Sequence, residues 1–141
     1  MEWNRTFDAK IPLVREMFQW LCAILERFSS SEVKKLGLAC EEIFVNIVKH
    51  AYQDTPKPIQ ITICLSPQGR CEITFCDDGP LFDPVHFAPK LLLDSPVENR
   101  ELGGLGLHFV RRFVDDMRYE RRNEQNVLTL IKHLSRKHIH K

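Results

Sequence analysis

Hydrophobic residues recur at helical spacing in three parts of the chain, and this pattern predicts three helices. The first begins near Pro12, a residue that suits the first turn of a helix. The second begins after the serines at 29–31, where Ser29 and Glu32 have the spacing of a capping box. The third follows the glycines at 103–106, and its predicted apolar positions are Leu107, Val110, Phe113, Val114 and Met117.

Alternation of apolar and polar residues predicts five strands, at about residues 2–10, 59–65, 71–76, 118–122 and 127–134. The first alternates weakly and is predicted to be an edge strand. The last two are joined by a predicted turn at residues 123–126. These elements predict a two-layer α/β sandwich, an α+β fold with helices on one face of a mixed, mostly antiparallel sheet.

The second predicted helix carries an unusual polar strip. At about 100° per residue, Glu42, Asn46 and Lys49 fall on one narrow strip beside a broad apolar face. Asn is a poor interior helix residue, because its amide competes for backbone hydrogen bonds. A carboxylate and a carboxamide one turn apart suit a cleft that holds a charged ligand. For this helix alone, a solvated polar face is the alternative.

Asp77 ends its predicted strand in phase with Ile73 and Phe75, so we expect it on the face that the helices cover. A buried carboxylate is costly unless a group there donates a hydrogen bond to it. The ordinary alternative is an Asp that caps a turn at the end of a strand.

The run Gly103-Gly104-Leu105-Gly106 leads into the third helix, where unpaired backbone N–H groups can bind a phosphate. It is not the dinucleotide fingerprint GxGxxG, because Phe109 stands where the third glycine would be, and the chain has no Gly-Lys pair of a P-loop. It is either a phosphate loop of another kind or simply the start of a helix.

We predict that the 141 residues form a single domain, residues 1–141. Residues 78–103 are rich in Pro, Gly and Asp and are too long for a plain connection, so we expect a lid at about 83–103. The basic tail, residues 135–141, is predicted to be frayed.

Charge and cysteine content exclude several classes of protein. A formal net charge of +1 gives no general attraction to nucleic acid or to an anionic membrane. The five cysteines include no CxxC pair, so they indicate neither a zinc site nor a disulfide framework. Because the chain shows no signal pattern and no apolar stretch of membrane-spanning length, we expect a cytoplasmic protein.

Four segments, taken in order, resemble the motifs of the GHKL ATPases, the group of gyrase, Hsp90, histidine kinases and MutL. They are the N box at 42–46, the first glycine box at 77–84, the second at 103–107 and a closing strand at 126–130. The resemblance covers about residues 30–134, and from Gly104 to Lys132 it is greatest to the small serine kinases of the RsbW/SpoIIAB anti-sigma-factor class. It implies the histidine-kinase-like ATPase (Bergerat) fold. One departure is Leu81, which stands where the family has a second glycine.

The resemblance implies an ATP site with Mg²⁺. Asp77 would accept a hydrogen bond from the adenine amino group, helped by Thr129, and the retained Gly79 would keep adenine binding intact. Asn46 would coordinate Mg²⁺, a hard cation that prefers oxygen ligands.

The phosphates would meet the backbone of Gly104, Leu105 and Gly106, where glycine allows a close approach. Lys49 and Arg100 would add further phosphate contacts. Glu42 would orient or deprotonate the acceptor hydroxyl, so that one carboxylate with a metal suffices for phosphoryl transfer.

The resemblance therefore implies a protein serine/threonine kinase whose substrate is an anti-sigma-factor antagonist (STAS-type) protein. It also implies a sigma factor as a second partner, and a homodimer. The first predicted helix contains no histidine, which disfavours autophosphorylation on His. Two alternatives are a non-catalytic ATP-dependent partner switch and a plain interaction domain without nucleotide.

Overall fold

The computed structural model of the chain describes residues 1–83 and 104–137. Its elements, in chain order, are β1 (Glu2–Asp8), a 3₁₀ turn (Ile11–Leu13), α1 (Val14–Ile24), α2 (Ser30–Asn46), a π-helical turn (Ile47–Ala51), β2 (Pro58–Leu65), β3 (Arg70–Asp77), α3 (Gly104–Phe113), β4 (Asp116–Arg122) and β5 (Gln125–His133).

The strands of the described part form one sheet in the order β1-β2-β3-β5-β4. Its four pairings are antiparallel, which confirms the mostly antiparallel sheet and places β1 at an edge as predicted. The β2–β3 hairpin turns at Gly69, whose φ of +93° favours glycine. A Cβ at Gly69 would lie 2.3 Å from the carbonyl oxygen of Leu134, so the turn also packs too closely for a side chain.

The helices cover one face of this sheet. Alternate residues of β2 and β3 are buried, and they join one core with the apolar faces of α1, α2 and α3. Phe44 of α2 and Phe75 of β3 are almost fully buried in it. This two-layer arrangement confirms the α+β fold that the sequence predicts.

The capping box predicted for α2 does not form. Ser29 is the N-cap residue, but its side chain makes no capping hydrogen bond. The Glu32 carboxylate instead accepts a hydrogen bond from the backbone N–H of Ser135, at 3.1 Å. The beginning of the predicted tail is thus attached to the start of α2.

Several boundaries differ from those predicted. Helix α3 ends at Phe113, and Met117 lies in β4. The predicted lid lies outside the described residues except for Asp83, and so do residues 138–141 of the tail. Within residues 1–83 and 104–137, no helix is long and apolar enough to cross a bilayer.

Candidate active site

A cleft opens between the helix layer, the end of β3 and the start of β5. Its described walls are Ile43, Asn46, Ile47, Ala51, Asp77, Phe82, Leu107, Tyr119, Asn126 and Leu128. In the described part of the chain, the buried polar or charged side chains are Asn46, Asp77 and Asn126, and all three lie in these walls. Buried polar groups gathered at an otherwise apolar cleft are typical of a ligand site.

Asp77 is the last residue of β3 and faces the helix layer, in phase with Ile73 and Phe75 as predicted. Its Oδ1 accepts hydrogen bonds from the backbone N–H of Gly79, at 2.8 Å, and from Nδ2 of Asn126, at 3.0 Å. Burial raises the pKa of Asp77, although these two hydrogen bonds lower it in part. A ligand that donates a hydrogen bond to Oδ2 would therefore stabilise the ionised carboxylate.

The turn after β3 packs directly against the helix layer at Gly79. A Cβ at this position would lie 2.7 Å from Cβ of Ala51 and 2.9 Å from Oδ1 of Asp77. Nη1 of Arg121 donates to the Gly79 carbonyl at 2.7 Å from the other side. Only glycine fits here, so Gly79 sets the distance between the turn and the π-helical turn that follows α2.

Tyr52 connects three elements beside the cleft. Its hydroxyl donates to the carbonyl of Pro58 at 2.7 Å and accepts from the backbone N–H of Asp78 at 2.7 Å. Burial raises the pKa of Tyr52 to about 12, so the hydroxyl keeps its proton at ordinary pH. The end of the π-helical turn is thereby held to the start of β2 and the end of β3.

Asn46 is the last residue of α2, and the π-helical turn begins directly after it. Such turns are frequent at functional sites. The side chain of Asn46 is 8% exposed, and its Nδ2 is buried with no hydrogen-bond partner in the described part of the chain. Buried amide groups nearly always have a hydrogen-bond partner. Nδ2 of Asn46 is therefore suited to donate a hydrogen bond to a ligand in the cleft.

The donor set also fits Mg²⁺. An amide oxygen is a ligand that Mg²⁺ accepts, and this ion usually binds through few protein groups together with phosphates and water. Within residues 1–83 and 104–137, no cluster of three or more His, Cys, Asp or Glu side chains could hold a metal by itself. If Asn46 is a Mg²⁺ ligand, as the resemblance implies, its amide oxygen would bind the ion and oxygen atoms of phosphates and water would complete the coordination.

Glu42 lies one turn before Asn46 on α2 and is partly exposed. Burial, and secondarily the charge of Glu41, raise the pKa of Glu42 above its ordinary value. A carboxylate with a raised pKa is a better proton acceptor at neutral pH. The described walls of the cleft do not include Glu42.

The other predicted site residues are not among the described walls of the cleft. Lys49 is exposed on the π-helical turn. Gly104, Leu105 and Gly106 form the first turn of α3, whose Leu107 is in the cleft wall, so the N-terminal N–H groups of that helix begin beside the cleft. Arg100 lies outside the described residues.

Thr129 is not brought to the cleft. It pairs with Thr74 across β3 and β5, and the two hydroxyls are 3.1 Å apart. Thr74 alternates with Asp77 and its buried neighbours, so this pair lies on the sheet face away from the helices. The residue of β5 opposite Asp77 is Asn126.

Asn126 is not among the predicted site residues, because the sequence pattern predicts a turn at residues 123–126. The turn is shorter: Asn123 and Glu124 have φ of 52° and 64°, and β5 begins at Gln125. Counting back by twos from the buried Leu130 and Leu128 would have put Asn126 on the inward face.

The chain is similar to known proteins over most of its length. Residues 7–132 match the histidine kinase-like ATPase domain family. The serine/threonine-protein kinase BtrW of Bordetella bronchiseptica is 33% identical over 119 residues, which cover 81% of each chain. The serine-protein kinase RsbW of Bacillus cereus is 29% identical over 115 residues, 79% of this chain and 71% of that protein.

Two solved structures share the fold. One, of the RsbU and RsbW domains of a Mycobacterium tuberculosis protein, superposes with a TM-score of 0.69 at 21% identity, covering 97% of this chain and 33% of that one. The other, the SiaB-SiaC complex of Pseudomonas aeruginosa, gives a TM-score of 0.68 at 14% identity, covering 92% of this chain and 88% of that one.

Proposed function

The chain belongs to the histidine kinase-like ATPase domain family and is an RsbW-like serine/threonine-protein kinase, and we propose that it transfers the γ-phosphate of Mg-ATP to a serine or threonine of an anti-sigma-factor antagonist of the STAS type. The observation that carries the proposal is the gathering of Asn46, Asp77 and the start of α3 around one cleft.

The adenine end of ATP is assigned to Asp77. Its Oδ1 is already paired, so Oδ2 is the oxygen that accepts a hydrogen bond from the exocyclic amino group of the base. The apolar walls Ile47, Leu107 and Leu128 offer surfaces for the flat base. Guanine has a carbonyl where adenine has its exocyclic amino group. That carbonyl oxygen and Oδ2 of Asp77 are both hydrogen-bond acceptors and would repel each other, so the site favours adenine over guanine.

The phosphate end is assigned to Asn46 and the first turn of α3. When bound, Mg²⁺ would offset the negative charge of the phosphates. The N–H groups at the start of α3 and the positive end of its dipole favour anionic phosphate oxygens. Lys49, and Arg100 from outside the described residues, are proposed as further phosphate contacts.

Glu42 is the proposed base. It accepts the proton of the acceptor hydroxyl as that oxygen bonds to the γ-phosphorus, and the bond from this phosphorus to the β,γ-bridging oxygen breaks, so that ADP leaves. The raised pKa of Glu42 suits this proton transfer. Because phosphoryl transfer depends mainly on positioning and charge neutralisation, no further nucleophile of the enzyme is needed.

The partner assignment follows the relatives. Similarity to the serine-protein kinase RsbW and the serine/threonine-protein kinase BtrW supports a protein hydroxyl as the phosphate acceptor. The resemblance to the RsbW class supports an antagonist protein as the source of that hydroxyl. A sigma factor as a second partner and a homodimer as the working unit belong to the same proposal.

The test is phosphate transfer from Mg-[γ-³²P]ATP to antagonist proteins encoded near this chain's gene. We expect labelled antagonist with the wild type, labelling slowed by about 10²–10⁴-fold with Glu42→Gln, and full labelling with the matched control Glu41→Gln. ATP binding should persist in Glu42→Gln. A wild type that binds ATP but labels no antagonist would instead indicate a non-catalytic partner switch, and a wild type that binds no adenine nucleotide would leave a plain interaction domain.

A further inference from the structure

Asn126 stands at the centre of a hydrogen-bond network that connects Asp77, the turn after β3 and the edge strand β4. On the oxygen side, its Oδ1 accepts from the hydroxyl of Tyr119 at 2.6 Å, from Nη1 of Arg121 at 3.2 Å and from the backbone N–H of Phe82 at 3.3 Å. The side chain is 4% exposed, so these bonds are shielded from water.

On the nitrogen side, Nδ2 of Asn126 donates to Oδ1 of Asp77 at 3.0 Å and to the carbonyl of Pro80 at 2.9 Å. The Gly79 carbonyl lies at 3.5 Å, at the limit of a hydrogen bond. The same amide therefore holds both the carboxylate of Asp77 and the backbone of the turn that follows it.

The orientation of this amide is fixed by its partners. The guanidinium of Arg121 and the N–H of Phe82 can only donate, so they require an oxygen on their side. The carbonyl of Pro80 can only accept, so it requires the NH₂ group on the other side. Rotating the amide by 180° would oppose donors to donors and acceptors to acceptors.

We propose that Asn126 is a positioning residue of the nucleotide site: by donating to Oδ1 of Asp77 and holding residues 79–82 against β4, it leaves Oδ2 as the one carboxylate oxygen that can accept from the base. This inference depends on the proposed function, since it assigns Asp77 to an adenine nucleotide. The resemblance implies that Thr129 of the closing strand helps Asp77 to bind adenine. We assign this role to Asn126, which acts by positioning Asp77.

The test is calorimetric titration with ADP in EDTA, a condition that isolates the base from the metal. We expect Asn126→Ala to bind ADP about tenfold more weakly than the wild type, because one buried charge-assisted hydrogen bond to Asp77 is lost. The matched control is Thr74→Val, on the other face of the neighbouring strand, which should bind like the wild type. Circular dichroism and urea unfolding establish that each variant is folded.

Asn126→Asp extends the test to pH and keeps the shape of the side chain. Two carboxylates would then share a site, and at pH 8 both are ionised and repel each other. Towards pH 5.5 a proton on the introduced carboxylate restores a donor to Asp77, so the affinity of this variant for ADP should rise several-fold while that of the wild type does not. The titratable and charged groups near this pair are Tyr52, Asp78, Asp83, Tyr119 and Arg121.

Three results would overturn the inference while leaving the proposed function intact. They are ADP binding unchanged in a folded Asn126→Ala, an Asn126→Asp pH profile parallel to that of the wild type, and an affinity that falls in Thr129→Val but not in Asn126→Ala. A wild type that binds no adenine nucleotide would remove the proposed function and this inference together.

Discussion

The hydroxyl of Tyr52 accepts a hydrogen bond from the backbone N–H of Asp78 at 2.7 Å, across 26 residues of sequence. The same hydroxyl donates to the Pro58 carbonyl. One phenol thus fixes the residue that follows Asp77 relative to the helix that carries Asn46. This contact and the close packing of Gly79 on Ala51 together fix the position of Asp77 relative to Asn46 across the cleft.

Tyr52→Phe should lower the free energy of unfolding by about 1–3 kcal/mol, because the ring stays buried while a donor and an acceptor lose their partner. Since the pKa of Tyr52 is raised to about 12, the hydroxyl stays protonated and this loss should be the same at pH 6 and pH 9. Urea unfolding of both proteins at the two pH values measures it. Equal stability of the variant and the wild type would show that the hydroxyl does not connect these elements.

Gly79→Ala should destabilise the protein by about 1–3 kcal/mol, because its Cβ would lie 2.7 Å from Cβ of Ala51. It should also weaken ADP binding, since the turn beside Asp77 must move. In the double variant Gly79→Ala with Ala51→Gly, the first contact is removed but the 2.9 Å approach to Oδ1 of Asp77 remains.

A double-mutant cycle by urea unfolding should therefore show partial rescue, with a coupling free energy of about 0.5–3 kcal/mol between positions 51 and 79. Additive effects of the two substitutions would mean that the turn does not pack on Ala51.

Asp77→Asn should stabilise the ligand-free protein at neutral pH while weakening ADP binding. Burial raises the pKa of Asp77 in the folded protein, so the wild type gives up stability as the pH rises through that raised pKa. Below the unfolded-state pKa the carboxyl is protonated in both states, and this difference from the variant should disappear.

Unfolding of the wild type and Asp77→Asn from pH 3 to pH 8 measures this trend, because the unfolded-state pKa of an Asp is about 3.9. A stability difference that stays constant across that range, or that grows towards acid, would contradict a raised pKa for Asp77.

The rate of phosphate transfer should fall at acid pH as Glu42 becomes protonated. Because burial raises its pKa, this fall should begin at a higher pH than for an exposed glutamate. Glu42→Gln should reduce the rate by about 10²–10⁴-fold and abolish this part of the profile. Single-turnover rates from pH 5 to pH 8 provide the measurement, and a Glu42→Gln variant with the wild-type profile would exclude Glu42 as the base.

Much of this arrangement could be predicted from local patterns. The alternation of Ile73 and Phe75 determined the face of Asp77, and helical spacing put Glu42 and Asn46 on one strip. The prediction for Asp77 is confirmed because the buried face of its strand is evident from the strand's own residues. Lys49, predicted on the same strip as Glu42 and Asn46, is instead exposed on the π-helical turn.

The rest depends on contacts between elements. The π-helical turn after Asn46 interrupts the regular spacing on which helix prediction relies. Ser29 and Glu32 have the spacing of a capping box, but the Glu32 carboxylate accepts a hydrogen bond from the backbone N–H of Ser135, which is distant in sequence. Asn is a residue type that is common in turns. Only the pairing of β3 with β5 places Asn126 opposite Asp77.

The most direct test of a cleft with a base end and a metal end is calorimetric titration of ADP with and without Mg²⁺. We expect Asn46→Ala to weaken ADP binding at least tenfold in Mg²⁺ and by a clearly smaller factor in EDTA, whereas Asp77→Asn should weaken it by a similar factor in both. Asn4→Ala, on the edge strand β1, is the control. If Asn46→Ala bound like the wild type in Mg²⁺, or if the wild type bound no adenine nucleotide at all, the account would be contradicted.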